Sequence, residues 1–322
     1  LKKTELEKKR DHRKFGRQDQ LFDQQPGCGN SLWMWFPKGT YLRKQLLKQW
    51  DEECTKHDIL NIHTPTLCDE KILEESGIDG FLDESQKQLK LLGKRSELSM
   101  CSTPELQHAL VYRALWHSYK ELPVRFAECK EVLDLREKNN EGNGLLRSKQ
   151  QTVDTTTAFI NQGMALKEVK FHIERLESWA SQFSMKIKWT LFGKGDQWRG
   201  TNRQWKFGEE LMEKAMKDLG KDCDYFRDTQ CFSGPSLVLE FIDSIGRSWQ
   251  MSSIRFDFHL PQSLSLRYQN NSGEIQPPLM VVVSFFQSLE KMLALIVEHY
   301  EGKLPLWLSS EHVRVIPVAG KH

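Results

Sequence analysis

Apolar positions recur along this chain with two periods. Leu42, Leu46, Leu47 and Trp50 are spaced three or four apart, which predicts a helix over about 40–57 with one apolar face. Similar spacing predicts helices over 105–117, 164–183, 204–219 and 284–300. The last of these sets Phe285, Leu289, Met292, Leu293 and Ile296 on one side. Strand-like stretches run over 59–63, 124–136 and 147–161, and the pattern from 236 to 268 is mainly strands. A polar loop over 137–144, with Asn and Gly to turn the chain, joins 124–136 to 147–161 and predicts an antiparallel hairpin. Residues 1–20 read as a charged helical lead-in, followed by a turn-like segment at 25–30 and a dense apolar run, Leu32, Trp33, Met34, Trp35 and Phe36.

Helices fall between long hairpins instead of alternating with single strands. This predicts an α+β fold with a mostly antiparallel sheet flanked by helices. The strands 124–136, 147–161, 236–242 and 248–260 form that sheet, with the 284–300 helix packed on it. No G-x-G-x-x-G and no G-x-x-x-x-G-K-[ST] occurs, so the common phosphate loops are excluded. The longest apolar run, 279–286, is far short of a membrane-spanning helix, so no membrane partner is expected. At 322 residues the chain is long enough for a sizeable core, and a net charge of +2 neither demands nor excludes a nucleic-acid partner. Seven cysteines, an odd number with no C-x-x-C pair, point to free thiols in a reducing intracellular compartment. Cytoplasm and organelle (mitochondrion) are not distinguished. The chain opens at Leu1, which leaves room for a preceding segment.

Several short motifs then resemble one family in order. Asp11-His12-Arg13-Lys14-Phe15-Gly16 resembles the start of the threonyl-tRNA synthetase catalytic core, and 32–39 resembles its W-x-P-K-G segment. Ile62-His63-Thr64-Pro65 is similar to the end of class II motif 1, and Leu122–Glu128 to the start of motif 2. Gly144-Leu145-Leu146-Arg147 resembles the G-L-M-R return strand. Trp249-Gln250 with 256–261 resembles W-Q-C-G-T-x-Q-x-D-F-x-L-P, and Ser288-Leu289-Glu290-Lys291 stands where motif 3 reads S-x-E-R. Residues 305–308 and 313–317 match the passage towards an anticodon-binding domain. The resemblance divides the chain into a lead-in (1–30), a catalytic-core domain (31–309) and the start of a linker (310–322). It implies the class II synthetase fold.

Class II synthetases attack the ATP α-phosphate with an amino-acid carboxylate, a reaction driven by positioning and electrostatics from arginines and magnesium. At the motif 2 arginine position this chain has Asp134, with Arg136 two residues on. At the motif 3 position it has Lys291, which keeps the charge but lacks the bidentate fork. The family reads threonine with a zinc ion on one Cys and two His. The matching positions here are Thr103 or Glu105, then Thr157, then Val282, so the zinc site is expected to be lost. The lysine of F-Y-G-P-K is Ser236, the glutamine of T-Q-D-D is Val153, and the cysteine after Trp-Gln is Met251. Arg147, Gln250 and Glu128 survive, and with Arg136 and Lys291 they form a residual nucleotide-binding set. No catalytic residue and no cofactor is assigned; ATP and magnesium enter only with residual activity.

The reading is therefore a non-catalytic member of the family, acting as a structural or RNA-associated subunit of a larger assembly. The alternatives are a divergent active threonine–tRNA ligase and a nucleotide-binding regulator. A protein partner or a second copy is expected on the motif 1 face, around Trp33, Trp35, Phe36 and Pro65. RNA is a further candidate partner.

Overall fold

The hairpin expected from the polar loop is the centre of the sheet. In the computed structural model, which describes residues 9–25, 27–77, 98–101, 104–115, 117–133, 143–196, 198–227, 231–243 and 245–316, β2 (Val124–Leu133) pairs antiparallel with β3 (Gln150–Ile160). The register runs from Val124 opposite Phe159 to Leu133 opposite Gln150. The other strands of this sheet are β1 (Leu60–Asn61), β4 (Lys186–Gly193), β5 (Asp224–Arg227), β6 (Ser236–Ile242), β7 (Ser248–Asp257) and β8 (Leu279–Ser284). They make one eight-stranded sheet in the order β1-β2-β3-β8-β7-β6-β4-β5. All interior pairs are antiparallel, as the sequence implies, while the two edge pairs, β1 with β2 and β5 with β4, are parallel. The sheet is therefore mixed.

Three expected boundaries move. Gly144–Arg147 is a 3-10 turn and β3 starts only at Gln150. Ser284 ends β8 instead of opening a helix; α5 spans Leu289–His299, and the Ser288 hydroxyl caps it by accepting from the Lys291 N–H. The helix expected from residue 40 starts earlier, as α1 (Pro37–Lys56), because Pro37 fits the first helical turn, where no N–H is needed. The helices α2 (Pro104–Ala114), α3 (Ala165–Ser181) and α4 (Asn202–Asp218) fall close to their expected places. Thr201 and Gln204 form a reciprocal capping box on α4.

Alternation along the strands sends neighbouring residues into two separate apolar clusters. Ala127, Ala158, Ile160, Leu237, Leu239, Ile254, Val281 and Val283 face α3, α4 and α5 in the larger one. Phe126, Phe159, Met280 and Val282 face the other way, onto Leu106, Ala109 and Tyr112 of α2 and onto Leu260 and Leu264. Each buried Val, Leu, Ile, Met or Phe side chain among these contributes roughly 1.5–3 kcal/mol. The lead-in belongs to the same body: Phe22–Asp23 pairs with Met34–Trp35, and Leu21 and Phe22 are buried in the larger cluster. At Gly39 an added Cβ would lie 1.9 Å from the Leu21 carbonyl oxygen, so the glycine of the W-x-P-K-G segment is what lets α1 approach the lead-in.

Between β8 and α5 the chain makes a turn around one carboxylate. Buried Asp154 of β3 accepts from the backbone N–H groups of Phe285 (2.6 Å), Phe286 (3.0 Å) and Gln287 (3.2 Å) and from the Ser284 hydroxyl (2.8 Å). Glu290, in the first turn of α5, accepts from the Thr152 N–H at 2.7 Å and pairs with Arg43 of α1, whose Nη2 reaches the Thr152 hydroxyl at 2.8 Å. No helix among the described residues is long and apolar enough to cross a membrane.

Candidate active site

Of the residues singled out from the sequence, the face of the sheet that packs on α2 carries Glu128, Thr157 and Val282. On β2 it presents Phe126, Glu128 and Lys130, and on β3 it presents Thr157 and Thr155. Glu128 is buried and accepts from the Thr64 N–H at 2.6 Å; the Thr64 hydroxyl lies 2.7 Å from its other oxygen. Burial works against its ionisation, yet the His108 ring 3.6 Å away, the bonds from Thr64 and the charge of Lys130 prevail and hold the carboxyl down at about 2. Lys130, also buried, donates to the Thr64 hydroxyl (3.0 Å), to the Pro65 carbonyl and to Gln107 of α2. Desolvation lowers its pKa. Glu128 therefore serves to hold the end of the motif 1 segment against the motif 2 strand.

Gln250 is exposed on β7, and Lys291 extends from α5 to within 3.5 Å of the Gln250 carbonyl oxygen. These two expected nucleotide contacts are brought together. Glu128 is not with them: β2 and β7 are three strand steps apart, about 14 Å at the usual spacing. Arg147 is exposed at the end of the 3-10 turn. Arg136, with Asp134, Leu135 and Thr103, lies outside the described residues.

Two of the three expected zinc positions do converge. Thr157 on β3 and Val282 on β8 are directly opposite in register. Valine offers no ligand atom, and the threonine hydroxyl is 3.0 Å from His108 Nδ1. The third position supplies Glu105, which accepts from Arg255 Nη2 at 2.7 Å. Side chains of these types do not fit a tetrahedral zinc site. Arg255 was not singled out from the sequence, although one signal was present: it replaces the second glutamine of the W-Q-C-G-T-x-Q pattern. Its Cα partners are Val282 and Ser236, and it also reaches Asp257 at 3.3 Å and the Ser233 hydroxyl.

Among the described residues, one cluster has ligand atoms close enough for a metal: Asp11, His12 and Glu298. Both ring nitrogens of His12 are already engaged there. Nδ1 lies 2.6 Å from Glu298, and Nε2 accepts from the Leu145 N–H at 3.0 Å. The cluster ties the N-terminal helix (His12–Gln18) to α5 and to the 3-10 turn.

On the motif 1 face, Trp33 and Trp35 are half-buried and pack around Phe22, at ring distances of 5.9 and 5.2 Å, and Arg43 stacks over Trp35 at 4.9 Å. Their apolar surface is thus largely covered within the chain. Phe36 is half-buried and Pro65 exposed. Nearby, Leu60 and Leu115 are exposed and line a cleft with Pro123, Val124 and Phe126.

Residues 92–300 match the family model described as tRNA synthetase class II core domain (G, H, P, S and T). The chain is 30% identical over 326 residues to a threonine–tRNA ligase of Sulfurihydrogenibium sp. (strain YO3AOP1), covering all of this chain and 50% of that protein. It is 32% identical to the threonine–tRNA ligase of Borrelia duttonii (strain Ly), covering 99% of this chain and 54% of that protein. It thus spans about half the length of the curated relatives it matches. Among solved structures, one described as the RNA binding domain of threonyl-tRNA synthetase from Cryptosporidium parvum Iowa II superposes with a TM-score of 0.87 at 25% identity, covering 93% of this chain and 74% of that one. Giardia lamblia prolyl-tRNA synthetase shares the fold at a TM-score of 0.68 and 17% identity. On the family-model match, the relatives covered along the whole of this chain and the shared fold, the chain belongs to the class II aminoacyl-tRNA synthetase core family and is a threonyl-tRNA synthetase-like core domain.

Proposed function

We propose that this chain keeps the threonyl-type core as a scaffold and does not itself activate threonine, serving as a structural or RNA-associated subunit of a larger assembly. The observation that carries this is a register pair: Thr157 and Val282 lie opposite each other across β3 and β8, at the positions where the family resemblance places two histidines. Threonine and valine are nearly isosteric, so a pocket lacking a group that reads the hydroxyl separates them weakly. The phosphate side supports the same reading, with Lys291 in place of a bidentate arginine. Losing one preorganised charge contact costs about 10²–10³ in rate.

The test is threonine-dependent ATP–pyrophosphate exchange on the full-length protein, with metal analysis of the same sample. Exchange at background with no stoichiometric zinc is expected. Exchange well above background would establish the second reading, a divergent threonine–tRNA ligase, which the names of the relatives and the Lys291–Gln250 contact favour. ATP binding without exchange would mark a nucleotide-binding regulator.

A further inference from the structure

The sheet face under α2 holds two carboxylates with one cation between them. Glu105 of α2 and Asp257 of β7 lie 2.7 and 3.3 Å from the guanidinium of Arg255, and the side chains of Glu105 and Asp257 are only 16% and 4% exposed. Buried acids on this scale need a counter-charge. Asp257 is fixed independently, because its other oxygen accepts from the N–H groups of His259 and Leu260, both at 2.9 Å. Arg255 cannot move away easily either: its Cα partners Val282 and Ser236 set it on the same face as Thr157, and Nη1 also donates to the Ser233 hydroxyl. Burial pulls its pKa down, but the attraction of Glu105 and Asp257 outweighs this and raises it, so the guanidinium is charged at every accessible pH.

Helix α2 is fastened to this face by nearly successive residues. Glu105 bonds to Arg255, Gln107 to Lys130, and His108 to Thr157. The groups that would otherwise point at a ligand are thus bonded to each other.

We propose that Arg255 is a built-in cation that stands in for a metal ion: it neutralises Glu105 and Asp257, holds α2 and the 231–235 turn on the sheet, and bars a divalent cation from this cluster even when ligands are supplied. A planar fork with donors on several edges can meet three acceptors at once, which is the task a metal performs with its coordination sphere. The inference rests on the metal-free reading of this site given above. The exchange assay reports on that reading, while the measurements below report on Arg255.

The experiment uses the full chain in two arms. In the first, Thr157→His and Val282→His are introduced together, with Arg255 kept or changed by Arg255→Gln. Each protein is loaded with zinc chloride, dialysed and analysed for metal. The pair with Arg255 kept is expected to retain little zinc, and the triple variant about one ion per chain, through the two histidines and the released Glu105. Equal retention with and without Arg255, or one firmly held zinc in the unmodified protein, overturns the proposal. The second arm covers the case in which the histidine variants do not fold. Thermal midpoints are measured for Arg255→Gln, Glu105→Gln and the double variant, each with and without zinc. Each single change is expected to lower the midpoint, zinc to restore part of the loss in Arg255→Gln alone, and the double variant to lose less than the two singles combined. Additive losses with no zinc effect overturn it.

Discussion

Replacing Glu128 by glutamine tests whether the carboxyl at the start of motif 2 holds motif 1. The side chain is 2% exposed and its two oxygens face the Thr64 N–H and hydroxyl, with Lys130 bonded to the same hydroxyl. An amide of the same shape keeps one acceptor and turns an N–H towards groups that donate, which costs about 1–3 kcal/mol. Charge adds a pH-dependent part. The folded value of about 2 lies below the ordinary 4.5, so ionised Glu128 stabilises the fold fully above 4.5. That contribution fades as pH falls from 4.5 towards 2, where both states are protonated. It amounts at most to roughly 3 kcal/mol near neutrality and to roughly half of that near pH 3. Glu128→Gln removes this acid limb. Urea unfolding of both proteins near pH 7 and near pH 3 reads the effect, and other acid-sensitive groups cancel in the difference. The variant is expected to be the less stable near pH 7 and the gap to narrow by more than about 1 kcal/mol near pH 3. A gap of the same size at both pH values would refute the placement of the charge, and no gap at all would refute the role of Glu128 in holding Thr64.

Two further changes probe the frame around the site. Glu290→Ala strands the partly buried Arg43 and the Thr152 N–H, so a loss of about 3–5 kcal/mol is expected in chemical denaturation; Arg43→Met combined with it recovers part of the loss. If the motif 1 face associates with a second copy, Leu60→Asp, at a side chain 60% exposed beside the cleft of Leu115 and Phe126, shifts the sedimenting species to a monomer while leaving the thermal midpoint nearly unchanged; a monomer before and after the change excludes self-association there.

The motif 2 hairpin was legible because Asn and Gly mark its loop, although burial alternates only over the second half of its first strand, 128–133. The strand β8 was not: Leu279–Ser284 is covered by apolar neighbours on both faces, so its sequence is a continuous apolar run without the alternation that identifies a strand. The parallel edge pair at β5 was equally hidden, since Asp224–Arg227 is exposed along its whole length and carries no apolar period. For the site, register was the missing quantity. Nothing in the spacing of 157, 255 and 282 says that they share one face, since Val282 meets Thr157 on one side and Arg255 on the other only once three strands are paired. Lys130 was overlooked because a lysine on a hairpin strand ordinarily projects to solvent, whereas this one ends among the acceptors of Thr64, Pro65 and Gln107.

The turn gathered by Asp154 also sets how that part of the molecule opens. Phe285 and Phe286 give their amide protons to this carboxylate, and Gln287 shares its own between the carboxylate and the Ser284 hydroxyl at 2.8 Å. Withdrawing that acceptor frees the Phe285 and Phe286 amides together and releases the Ser284 hydroxyl, which is left as the partner of the Gln287 amide. The Phe285 and Phe286 amides are therefore expected to exchange with solvent together, on an opening that moves a side chain of a different strand. Since Ser288 and Lys291 follow immediately, this contact acts together with the bonds of Glu290 to Thr152 and Arg43 in fixing the start of the motif 3 helix on the sheet.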